Sequence, residues 1–107
     1  MKKALLVLVL LGLATALFAF DGYVTVYNRT GYDVYYLYVS HESSDNWEDD
    51  VLGSEILEAG DSFTVNLKGF SSPIFDIKAV DEDGDEYYFW NLDVEYNDFS
   101  LTLDYLD

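Results

Sequence analysis

Segments in which every second residue is apolar recur along most of the chain. Phe75, Ile77 and Ala79 alternate with Asp76 and Lys78. Val24 and Val26 alternate with Tyr23, Thr25 and Tyr27. Phe63, Val65 and Leu67 alternate with Thr64 and Asn66. Phe99, Leu101, Leu103 and Tyr105 alternate with Ser100, Thr102 and Asp104. A period of two sends successive side chains to opposite faces of an extended segment, so each run reads as a half-buried strand. Tyr87 to Trp90 is a run of four aromatics, types suited to a pleated surface. Asp83-Gly84 lies between it and the Phe75 run, and an Asp-Gly pair in that place signals a hairpin. This hairpin, Pro73 to Asp93, is expected to be the centre of the fold.

The remaining segments are less regular. Tyr32 to Ser40 is apolar on both sides, with Val34, Tyr36 and Tyr38 on one and Tyr35, Leu37 and Val39 on the other. Such a strand is expected to be central in its sheet or covered on the outside by a loop. The loop that follows, His41 to Asp50, is acidic and carries Trp47. Trp47 is read as a plug folded back over the sheet, and the competing reading is an exposed stacking platform. Asp45 and Glu48 have the spacing of a capping box, which predicts one helical turn over Trp47 to Leu52. Ile56 and Leu57 suggest a brief strand. With no amphipathic helix of useful length, the pattern predicts an all-β fold: a small antiparallel β-sandwich of six to seven strands.

The first residues do not belong to that domain. Lys2 and Lys3 precede an uncharged apolar stretch, Ala4 to Leu17, and Leu17-Phe18-Ala19 approximates a small-residue cleavage site. This is the pattern of a secretory signal peptide over residues 1–19, which leaves a single domain over 20–107 and an exported, periplasmic or extracellular protein. An uncleaved membrane anchor is the competing reading.

Removing the leader sharpens the charge. Arg29, Lys68 and Lys78 then face all 21 acidic residues, a formal 3 − 21 = −18 against −16 for the whole chain. Such a surface repels nucleic acid and anionic lipid and suits cations: metal ions, or a cationic protein or peptide surface. The absence of cysteine removes disulfides, thiolate catalysis and thiolate zinc sites. The only histidine, His41, is expected to be solvated in its loop. Neither a histidine cluster nor a G-x-S-x-G nucleophile elbow is present, so the chain is read as non-enzymatic.

The candidate metal site is Asp81-x-Asp83-x-Asp85. Calcium takes six to eight oxygen ligands, and carboxylates at alternate loop positions can converge on one ion. Gly84 falls before the third aspartate rather than after it, so the loop is not an EF-hand; Asp49 or Asp50 from a neighbouring loop is a further candidate ligand. An ordinary turn with solvated carboxylates is the competing reading. Asn28-Arg29-Thr30 fits the N-glycosylation pattern and also reads as a turn, the interpretation preferred here.

One ordered set of short motifs spans Asn28 to Asp93. It runs Asn28-x-Thr30-Gly31-x-x-Val34, Tyr38-Val39-Ser40, Trp47-x-x-Asp50-x-Leu52-Gly53, Leu57-x-x-Gly60 and Asp81-x-Asp83-Gly84. In this order the set resembles a group of small bacterial exported β-sandwich proteins. The resemblance implies a secreted or periplasmic β-sandwich and no particular activity.

Two function classes follow. The first is a structural or protein-interaction module that meets its partner through an acidic face or an open sheet edge. The second is a carbohydrate- or peptide-binding module in which Tyr35, Tyr36, Tyr38, Trp47 and Trp90 act as aromatic platforms. Buried rings favour the first class, and several rings exposed in a row favour the second.

Overall fold

The computed structural model describes residues 19–107, and the leader expected over 1–19 lies outside them apart from Ala19. Six strands form: β1 (Phe20–Asn28), β2 (Val34–His41), β3 (Ser62–Phe70), β4 (Ile74–Asp81), β5 (Glu86–Asp93) and β6 (Phe99–Leu101). They make two three-stranded sheets, β3-β1-β6 and β2-β4-β5. The inward residues of both sheets merge into one core, with Val24, Val26, Val34, Leu37, Phe75, Ile77 and Ala79 almost wholly removed from solvent. The all-β sandwich expected from the alternation is therefore present. At about 1.5–3 kcal/mol per fully buried large apolar side chain, this interior is what opposes chain entropy in a domain without disulfides.

The structure differs from the sequence reading in several places. β6 runs parallel to β1, with Val26 opposite Phe99 and Asn28 opposite Leu101, so one of the four strand pairings is not antiparallel. Strand β6 also ends at Leu101. Thr102 accepts a hydrogen bond on its hydroxyl from the Asp104 N–H at 3.3 Å and starts a 3-10 turn over Leu103–Tyr105. That turn leaves Leu103 exposed and rolls Tyr105 against Phe89 and Phe99.

Strand β2 is an edge strand, not a central one. A loop covers its free edge instead: Val51 N–H donates to the Leu37 carbonyl at 2.8 Å, and the Asp50 carboxylate accepts from the Leu37 N–H at 2.9 Å. A bulge at Tyr35 shifts the register between Val34 and Tyr36. It puts Val34 on the same inward face as Leu37 and Val39, and turns Tyr36 and Tyr38 outward.

The loop after β2 contains no helical turn at Trp47. Glu48 has φ 60, a left-handed conformation that interrupts any helix there, and its N–H donates to the Asn46 side chain. Residues 51–54 form turns only. Leu57 makes an isolated bridge to Val34 rather than a strand.

Candidate functional site

The β4–β5 hairpin forms as expected, and Asp81 organises it. Gly84 at φ 82 closes a turn in which its N–H donates to the Asp81 carbonyl at 3.0 Å. The Asp81 side chain is buried. Its Oδ1 accepts from the N–H groups of Asp83 and Asp85 at 2.9 and 3.0 Å, and its Oδ2 accepts from the Tyr87 hydroxyl at 2.7 Å. Burial first, and then the bond to the Asp81 carboxylate, hold the Tyr87 phenol well above the usual tyrosine range.

Oxygens of Asp81, Asp83 and Asp85 lie within 4.8 Å of one another, so the turn does bring the three expected ligands together. Three protein donors already occupy three of the roughly four lone-pair positions of Asp81. The exposed Asp83 and Asp85 are left as its main free oxygen donors. Asp50 does not join them, because its Oδ1 is held by the Leu37 and Leu52 N–H groups beside β2. Asp33 from the neighbouring loop is bonded through its backbone to Glu82 in both directions, but its carboxylate accepts from the Ala59 N–H at 3.0 Å.

The second concentration of chemistry lies on the outer face of the β2-β4-β5 sheet. The even-numbered residues of β4 point outward there, and the register sets them in rows across the three strands. Tyr38, Lys78 and Tyr88 form one row. Lys78 Nζ lies 5.6 Å from the centroid of each tyrosine ring and 3.6 Å from Glu86. In the next row Ser40 pairs with Asp76, and β5 bulges opposite Asp76 so that Trp90 and Asn91 share that place. Asn91 takes φ 60 at the bulge and donates its N–H to Asp76 Oδ1 at 2.9 Å.

Trp47 reaches this face from the loop after β2. Its carbonyl accepts from the Ser40 hydroxyl, which anchors the loop to the sheet. The Trp47 ring is 5.3 Å from Trp90 and 6.0 Å from Tyr88, and Trp90 stacks on Tyr88 at 5.8 Å with planes 7° apart. Trp47 is thus half-buried and folded back over the sheet, while Trp90 is 58% exposed and Tyr36 49% exposed. Beside the Trp47–Trp90 pair lies a recess of about 180 Å³, also lined by Asp76, Asp45 and Asn46.

Of the five rings singled out in the sequence, Tyr36, Tyr38, Trp47 and Trp90 share this face, and Tyr35 is set apart by its bulge. The sequence reading passed over Tyr88, Lys78 and Asp76 as contributors. Their common parity was visible, since Tyr88 and Trp90 alternate with Tyr87 and Phe89 as Asp76 and Lys78 alternate with Ile77. What the sequence lacked was the register that sets the two strands side by side.

Two other candidates resolve as structural. His41 is the last residue of β2 and is buried, not solvated in a loop. Its ring stacks on Phe70 and meets Phe75 edge-on, and its nitrogens bond the hydroxyls of Ser43 and Ser72 at 2.7 and 2.9 Å. Asn28 is fully buried, and its amide donates to the carbonyls of Tyr32 and Leu57 while its oxygen accepts from Thr30. An amide so committed supports the turn reading of Asn28-Arg29-Thr30, because glycan attachment would need that nitrogen free.

No protein-family model and no curated protein matches the chain. Its fold is similar to that of a protein from Eubacterium rectale determined by NMR, with a TM-score of 0.53, 13% sequence identity, and coverage of 77% of this chain and 75% of that one. At that identity the likeness concerns the small all-β fold alone.

Proposed function

We propose that the protein is an exported, non-enzymatic binding module that engages its partner through the outer face of the β2-β4-β5 sheet. The observation that carries this reading is the cluster of rings on that face, the exposed Trp90 and Tyr36 with the half-buried Trp47, Tyr88 and Tyr38. Aromatic side chains held on strands give large contact area at little cost in conformational entropy, and they cluster where proteins bind. The non-enzymatic part rests on composition and on His41, which is tied into the packing between Phe70 and Phe75. Export rests on the leader pattern. Carbohydrate stacking is the competing use of the same rings.

The test is capture on paired glycan and peptide arrays, with the protein and two variants. Trp90→Ala should abolish capture. Tyr23→Ala, which removes an exposed ring from the other sheet, should leave it intact. Equal loss in both variants, or in neither, would remove this face from the function.

A further inference from the structure

We propose that the recess beside the Trp47–Trp90 pair receives the lysine or arginine side chain of a basic peptide, held against the Asp76 carboxylate. The inference rests on the binding-module reading and names the partner of the same face.

The neighbouring row shows what the recess resembles. There the chain supplies all the parts itself: the Lys78 ammonium between the Tyr38 and Tyr88 rings, with Glu86 as counter-charge. A cation placed against aromatic faces is attracted by their quadrupoles, and a nearby carboxylate adds to that attraction. One row along, an indole and a carboxylate are present, and no cation is. Trp90 packs on Trp47 at 5.3 Å, Asp76 takes the central place that Lys78 holds in the first row, Ser40 takes that of Tyr38, and Asp45 lines the same recess. Asp76 Oδ1 accepts from Asn91, and among the described residues no cationic group lies within 4.0 Å of either Asp76 oxygen.

The charge of the chain favours the same occupant. With 21 acidic residues against 5 basic, a basic peptide is drawn to the whole surface and finds in this recess a place to seat one side chain. Of the three cations outside the leader, Lys78 is engaged in its own row, Arg29 lies over Tyr27, and Lys68 sits opposite Asp21 on the other sheet. A neutral sugar would use the rings and leave the carboxylates without a counter-charge.

The two tryptophans of the chain give two indole N–H signals by NMR, one from each wall of the recess. Titration with hexa-arginine should move both signals to saturation, whereas cellohexaose and hexaglutamate should move neither. Asp76→Asn keeps the acceptor for the Asn91 N–H and should weaken hexa-arginine binding about five- to tenfold, whereas Trp90→Ala should abolish saturable binding. Glu58→Gln makes the same change of net charge on an exposed loop and should alter binding less than about twofold. Equal weakening by Asp76→Asn and Glu58→Gln would mean general attraction to an acidic surface, and would overturn the proposal. Saturation by cellohexaose in place of hexa-arginine would overturn it while leaving the binding-module reading intact. Array capture that survives Trp90→Ala would overturn both.

Discussion

Asp76 and Asp81 lie on the same strand five residues apart, and the pleat sends them to opposite sides of the sheet. Asp81 points inward and spends its carboxylate on two backbone N–H groups and a buried phenol. Asp76 points outward, accepts one N–H and otherwise lines a recess shared with two indoles. In a chain with 21 acidic residues, local density of carboxylates says little about which of them meets a partner. The distinction lies in how many lone pairs the fold has already used. Asp81 is thus the structural clamp of the acid-rich turn, and the sparser outer face is where a carboxylate stands beside the exposed Trp90 ring.

Substitutions at the two regions should separate cleanly. Asp81→Ala leaves a buried phenol and two turn N–H groups without their acceptor. It should cost about 2–4 kcal/mol, a fall in Tm of about 10 °C or more. A loss below about 1 kcal/mol by denaturant melt would mean that the clamp is dispensable. Tyr87→Phe removes one of the three bonds and should cost about 1–3 kcal/mol at neutral pH.

The same substitution carries a pH signature. The folded phenol titrates well above the ordinary 10.0 and the unfolded one near it, so above that pH the folded state holds a proton that the unfolded state has lost. Stability from this group is complete below about pH 10 and declines as pH rises further. Tyr87→Phe should flatten that alkaline decline in thermal melts, and an unchanged slope would assign the decline to other tyrosines.

On the outer face the balance reverses. Trp90→Ala should change stability by no more than about 1 kcal/mol, the worth of one or two aromatic pairs, while removing ligand capture. A larger loss would make Trp90 a packing residue and erase the contrast with Asp81. The smallest effect is expected from ions. Melts in calcium, magnesium and sodium chloride at matched ionic strength should coincide, because the exposed Asp83 and Asp85 are screened alike by all three. A shift with calcium alone, abolished by Asp83→Asn, would show that the turn holds an ion after all.

Much of the fold was legible because alternation is a local property. Phe75, Ile77 and Ala79, or Val24 and Val26, announce their face whatever lies next to them. The bulge at Tyr35 was not legible, since one extra residue reverses the parity of everything before it and leaves no mark in composition. Nor was the direction of β6, which depends on which strand it joins and not on its own three residues. At the candidate sites, the turn was found through its aspartates, but their roles were hidden until the bonds from Tyr87 and the turn N–H groups appeared. The outer face was half visible: the rings were conspicuous, and the register that gathers them with Lys78 and Asp76 was not.

The order of strands also has a consequence in time. β1 is the middle strand of its sheet, flanked by β3 and β6, so that sheet is incomplete until residues 99–101 are available. β2 likewise waits for β4, and only β4 and β5 are neighbours in both sequence and space. Assembly from distant pairings is slow, and the one hairpin that can close locally is its natural starting point. The turn around Asp81 is therefore expected to set how fast the chain folds as well as how firmly it stays folded. Asp81→Ala should lower the refolding limb of a chevron more than it raises the unfolding limb.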